Sequence, residues 1–170
     1  GPIPYFLLAG MRALTGDIFT AGNWLLFLLG LSGGISFLAF RRRLGFVPAF
    51  AGGVLFVMLP DNIRVAFADG NLPRTAASAL LPLAFYFLLR TLEGGGRRNI
   101  ILLAAAIGVM VLTHAMMAAI FLVGMGLFAV VFWFTARPNF RRVADALAGM
   151  VVGVLVSAWW LVPSLSGGAT

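Results

Sequence analysis

All twelve basic residues of this 170-residue chain are arginine, and nine of them fall in three short clusters between long uncharged apolar runs. The clusters are Arg41-Arg42-Arg43, then Arg90 with Arg97-Arg98, then Arg137 with Arg141-Arg142. That spacing is the mark of a chain threaded repeatedly through a bilayer, with its basic turns held on the cytoplasmic side by the positive-inside bias. Composition agrees: 62% of residues are hydrophobic and 10% charged, against roughly a quarter charged in soluble domains. The mean hydropathy is +1.05. The net charge of +7 does not argue for nucleic acid, because the positive charge sits in turns between apolar segments. With no cysteine, the chain has no disulfide, thiol nucleophile or thiolate metal site. No basic stretch precedes the first apolar run, so a signal peptide is not visible. A start at Gly1-Pro2-Ile3-Pro4 without Met reads as a piece of a longer protein.

The expected fold class is an all-α polytopic transmembrane bundle, treated as a single domain over 1–170. In hydrocarbon every backbone polar group must be satisfied internally, and the segments lack the alternation of barrel strands. Six spans are predicted: 22–40, 44–60, 72–89, 99–112, 115–136 and 143–163. The run from Ile100 to Ala136 decides the count. As one helix it would be about 55 Å long, nearly twice a core of about 30 Å, and it would separate Arg97-Arg98 from Arg141-Arg142. A hairpin tipped at Thr113-His114 keeps those clusters together. Four stretches then share the outer face: residues 1–21, the loop at 61–74, the hairpin tip, and the end after Pro163. Both ends of the chain are thus expected outside the cell. Residues 4–14, apolar with one charge at Arg12, read as an interfacial helix on the outer leaflet.

Candidate site residues follow from that topology. The outer loop from Asp61 to Arg74 mixes charge with the apolar anchors Ile63, Val65 and Phe67, expected on the membrane surface. Asp69-Gly70-Asn71 is turn chemistry, and Asn71 is placed to cap a helix opening with Leu72-Pro73. Arg64 and Arg74 suit a phosphate, since guanidinium forks match its oxygens. The competing reading has Asp61, Arg64, Asp69 and Arg74 pairing with one another, and the sequence leaves both open. His114, the single histidine, has two readings as well: a substrate contact, or a tip residue satisfying backbone groups freed at the break. One histidine with no carboxylate at ligand spacing makes no metal site. Gly30 with Gly34, and Gly149 with Gly153, read as close helix contacts. Pro82 is expected to bend the third span, and Trp159-Trp160 and Trp24 to mark an outer aromatic belt.

Four stretches in order carry a family resemblance: Pro4-Tyr5-Phe6-Leu7-Leu8; Asp69-Gly70-Asn71-Leu72-Pro73 with Ala79-Leu80-Leu81-Pro82-Leu83; Leu112-Thr113-His114-Ala115; and Ser157-Ala158-Trp159-Trp160-Leu161-Val162-Pro163. Together they resemble the integral-membrane glycosyltransferases of the GT-C type, in the bacterial membrane branch labelled 6-pyruvoyl-tetrahydropterin synthase-related, a label that carries no pterin chemistry here. The resemblance implies residence in the bacterial inner membrane. It also implies transfer of a sugar from a polyprenyl-phosphate carrier to an acceptor on the outer face. The catalytic acid of such enzymes lies in an outer loop that would precede Gly1, so no residue here inherits the base role. No cofactor is visible, and a divalent metal is implied only if acidic residues lie upstream. Arg64, Asp69, Arg74 and His114 are the expected substrate-binding residues. The expected partners are membrane lipid, the carrier-linked sugar and other membrane subunits. The alternative is a noncatalytic transmembrane subunit that uses its glycine faces to pack within a larger complex.

Overall fold

A computed structural model describes residues 1–167, with Leu165 by its backbone only. Residues 168–170, the last of the expected outer end after Pro163, lie outside the described residues. The described residues hold helices and turns and no strand. The chain divides inside its sixth helix into two compact units, Gly1–Leu83 and Ala84–Thr170.

The first unit opens with α1 (Ile3–Thr15), which stops at Gly16 in a left-handed conformation, φ 77°, whose N–H donates to the Arg12 carbonyl at 2.8 Å. At about 20 Å, α1 is too short to cross the hydrocarbon. It lays Leu8 and Met11 against a cluster that includes Leu25 and Leu26 of α2 (Ile18–Ser36) and leaves Tyr5, Phe6 and Leu14 exposed. The Asp17 carboxylate caps α2 by accepting from the Thr20 N–H at 2.7 Å. Helix therefore begins at Ile18, four residues before the expected span, and residues 18–21 belong to α2 rather than to the segment before it. A 3-10 turn (Phe37–Phe40) and α3 (Arg41–Leu44) extend it to 27 helical residues. After Gly45, at φ 88°, the chain returns through α4 (Phe46–Met58). Glycine sets the register: a Cβ on Gly34 would lie 2.6 Å from Val57 Cγ2 and 3.0 Å from the Gly53 carbonyl, and one on Gly33 2.6 Å from Phe56. Gly33 meets Phe56 while Phe37, just past α2, meets Gly52, so numbers rise on one helix as they fall on the other and the two are antiparallel. Gly30 meets nothing, so only Gly34 of its pair is a packing residue.

The chain breaks at Leu59, bends by 48°, and continues as α5 (Pro60–Ile63) and a π-helical turn (Arg64–Ala68) before α6 (Leu72–Leu92). Residues 60–68 are thus helical where an open loop was expected, because Pro60 starts a new helix with its φ already set. Leu26 and Leu72 share a cluster, and Gly33 faces Ala79, so α6 runs parallel to α2. Arg41–Arg43 accordingly lie at one end of this unit and 61–74 at the other. Pro82 is buried within α6 without interrupting it.

The second unit continues α6 into α7 (Arg97–Thr113), α8 (Ala115–Ala136), α9 (Phe140–Val156) and α10 (Ala158–Leu165). A Cβ on Gly149 would meet Leu103 and Ile100 at 3.2 and 3.3 Å, one on Gly153 would meet the Ala104 carbonyl at 2.6 Å, and Ser157 Oγ donates to the Gly108 carbonyl at 3.1 Å. Numbers rise together, so α7 and α9 are parallel and α8 must carry the chain back between them. The break falls where the length of the 100–136 run required it, and Gly94 beside Arg142 shows that both arginine clusters of this unit share one end. The expected continuous span 143–163 is instead bent by 61° at Ser157. There the buried hydroxyl bonds the Gly108 and Gly153 carbonyls, so Trp159-Trp160 ride on a separate short helix.

Among the described residues three helices are long and apolar enough to cross a membrane, Ile18–Leu44, Leu72–Leu92 and Ala115–Ala136, or up to five if each bent pair is one span. Six crossings are not shown. The short member is α7, whose 17 residues open on two arginines.

Candidate functional site

In the first unit three of the four expected substrate-binding residues come together around Asp61, which the sequence reading named only as a pairing partner. Arg64 Nη2 donates to Asp61 Oδ1 at 2.9 Å and Nη1 to Asp69 Oδ2 at 2.8 Å, while Arg74 Nη2 donates to Asp61 Oδ2 at 2.8 Å. Mutual pairing is therefore present, with Asp61 as the bridge. The backbone explains it. The Asp69 N–H reaches the Arg64 carbonyl five residues back at 2.9 Å and the Asn71 N–H reaches Val65 at 3.0 Å, a π-type turn of the kind found at functional sites. It curls Asp69 under Arg64 and buries Val65 and Ala66. Val65, expected on the membrane surface, is 3% exposed, because that turn faces α2. Asn71 caps α6 as expected, its Oδ1 accepting from the Arg74 N–H at 3.0 Å, which fixes where Arg74 begins. The signal that identifies Asp61 is its i,i+3 spacing to Arg64 directly after a helix-starting proline.

Beside this cluster lies a cavity of about 330 Å³ between α2, the α4–α5 break and α6, walled by Leu26, Gly30, Phe56, Val57, Phe67 and Ala79. That volume is at the lower edge of ligand pockets. Its few polar groups are Asn62, Arg74, Thr75 and Ser78. Asn62 donates to the Phe56 carbonyl at 2.7 Å and Thr75 to the Asn71 carbonyl at 3.1 Å, so both are turned to backbone. Arg74 is the charged group of the wall, 29% exposed against 54% for Arg64. Arg64 and Asp69 lie outside the lining. Gly30, read as a packing residue, is instead part of the cavity wall.

His114 belongs to the second unit. Its backbone is extended, φ −154° and ψ 94°, between α7 and α8, and its Nδ1 accepts from the Met117 N–H at 3.2 Å. It caps α8, the tip role that the sequence allowed. With Nδ1 accepting, the ring proton is assigned to Nε2. Neighbouring Thr113 is buried and bonds back to Val109 at 2.6 Å.

A family model described as the 6-pyruvoyl-tetrahydropterin synthase related domain, membrane protein, matches residues 1–170. The chain belongs to this family. No curated protein and no solved structure matches it. Within this 6-pyruvoyl-tetrahydropterin synthase-related membrane protein, no three His, Cys, Asp or Glu side chains gather at ligand spacing among the described residues. Asp61 and Asp69 are joined through Arg64, and two guanidiniums against these carboxylates oppose a divalent cation there. The residues present do not fit a metal.

Proposed function

We propose that this chain is the transmembrane part of a GT-C-like glycosyltransferase and that the cavity beside Arg74 receives the polyprenyl-phosphate carrier. The observation that carries the reading is the pairing of one guanidinium with a largely apolar wall: the isoprenoid lies against Leu26, Phe56 and Phe67, and Arg74 donates to the phosphate. Asp61 and Arg64 orient Arg74, and Asp69 is held behind them. In this reading the chain crosses six times in the bacterial inner membrane, its arginine clusters face the cytoplasm, and 61–74, His114 and both ends face outward. Placement of Arg41–Arg43 and 61–74 at opposite ends of the first unit supports that orientation. In this reading no residue of 1–170 supplies the catalytic base, and His114, on the second unit, offers Nε2 as a substrate contact at the outer face. The scaffold reading gains nothing from the glycines, because Gly34, Gly149 and Gly153 are filled by neighbours within the chain.

The test is binding of a polyprenyl phosphate, against the matching polyprenol, to the purified protein and its variants. A charge-assisted hydrogen bond contributes about 1.5 to 3 kcal/mol, so Arg74→Ala is expected to weaken the phosphate about ten- to a hundredfold and leave the alcohol unchanged. Gly30→Leu, built where a Cβ meets nothing, is expected to weaken both by filling the cavity. Equal binding of phosphate and alcohol by the parent protein, or unchanged phosphate binding in Arg74→Ala, Arg64→Ala and the double variant, would remove the proposal.

A further inference from the structure

Between α7 and α9 runs an apolar groove of about 580 Å³, distinct from the cavity of the first unit. On α7 its wall is the stripe Ile101, Ala105, Val109 and Leu112; on α9 it is Ala148, Val152 and Val156. Extending each stripe by its own helical spacing reaches Arg98, three residues before Ile101, and Arg141, seven before Ala148. Both are exposed. The parallel register of α7 and α9 therefore sets two arginine positions beyond the same end of the groove, Arg98 at its rim and Arg141 about 10 Å farther out along the helix.

The local electrostatics are unusual. Both helices begin at this end, and neither has an acidic residue in its first turn, although helix N-termini favour anions and disfavour cations. Arg90, Arg97, Arg98, Arg137, Arg141 and Arg142 face only Glu93 and Asp145 over residues 90–98 and 137–145, a surplus of four positive charges. Retention of basic turns in the cytoplasm accounts for arginines here, but it gives no reason for two of them to continue the stripes of an apolar groove.

We propose that this end of the second unit is a binding site for one anionic glycerophospholipid, with an acyl chain in the α7–α9 groove and its phosphate between Arg98 and Arg141. Asp145 lies on the same stripe, four residues after Arg141 and three before Ala148. It disfavours a second phosphate and accepts from a headgroup hydroxyl, so phosphatidylglycerol is the headgroup chemistry that fits. The site is independent of the carrier cavity, since every residue of it lies beyond Leu83.

The experiment is native mass spectrometry of the purified full chain released from nanodiscs of phosphatidylglycerol and phosphatidylcholine, counting lipid that survives activation. One retained phosphatidylglycerol is expected. Each basic residue near the surface contributes about 1 kcal/mol to holding anionic lipid, so Arg98→Gln with Arg141→Gln should lower retention about thirtyfold. Ala105→Phe, which fills the groove from an exposed position, should abolish it with every arginine in place. Arg12→Gln, which removes one charge from the first unit, should leave it unchanged, and circular dichroism checks that all variants remain helical. Equal retention of the two lipids would overturn the site. So would unchanged retention in either the double variant or Ala105→Phe, the latter showing only diffuse charge attraction, and so would displacement of the lipid by stoichiometric polyprenyl phosphate or by a second copy of the chain.

Discussion

Gly153 is a position where one added methyl should do harm. An ideal Cβ there would sit 2.6 Å from the Ala104 carbonyl oxygen, 2.8 Å from Ile107 Cβ and 2.9 Å from Ile107 Cγ2, against ordinary contact of 3.4 Å or more. The oxygen belongs to α7 backbone and Ile107 is buried, so relief requires α9 to move away by about 0.8 Å, taken as the difference between those contact distances. A gap of about that size forfeits roughly a quarter to a half of each dispersion contact, and overpacking of this kind costs about 1 to 3 kcal/mol. Against it stands the better helix propensity of alanine, about 1 kcal/mol at most. With the full propensity gain the net expectation for Gly153→Ala is a loss of up to about 2 kcal/mol, as much as a factor of roughly 30 in the folding equilibrium. Gly126→Ala on α8 is the control, since nothing lies within 4 Å of its Cβ; it should be neutral or stabilising. Reversible unfolding in mixed detergent micelles reads both. If Gly153→Ala proves as stable as Gly126→Ala, the close α7–α9 seam is wrong.

Two further expectations follow from helix starts. Asn71→Ala removes the acceptor for the Arg74 N–H and should destabilise the first turn of α6 by about 1 kcal/mol, measured as faster amide exchange at Leu72, Arg74 and Thr75 with α8 unaffected. The Thr20 backbone N–H holds the Asp17 carboxyl below its usual range. A carboxylate depressed on folding stabilises above its unfolded value, about 3.9, and that contribution is lost as pH falls through the lower folded value. Amides 18–21 should therefore exchange faster as pH drops below about 4, relative to their intrinsic rates. Asp17→Asn, which still caps, should show no such dependence.

Features of this fold set by the bilayer itself were legible in the residues. An apolar stretch too long for hydrocarbon had to turn, and it turns at His114, whose ring then supplies the missing backbone acceptor. The Asn71 cap was legible for the same local reason. What escaped depends on partners distant in the chain. Nothing between Val151 and Val162 marks a break, because the bend at Ser157 rests on a hydroxyl reaching Gly108 on another helix. The site was legible in half. Arg64, Asp69 and Arg74 drew attention as charges between apolar runs and Asp61 as a pairing partner, but the bridging place of Asp61 and the exclusion of Arg64 from the cavity wall depend on α5 leading into the π-type turn at 64–68. Gly30 and Gly34 share a spacing, yet only tertiary contact separates a cavity wall from a helix seam.

The side-by-side run of α7 and α9 also dictates an order of assembly. The hydroxyl that latches them lies 49 residues downstream of its acceptor, so α7, brief and basic at its leading edge, is made before its glycine-lined mate exists. Until then α7 can pack only against helices made before α9, and a chain ending within residues 140–156 should leave open the α7 face that Gly149 and Gly153 cover.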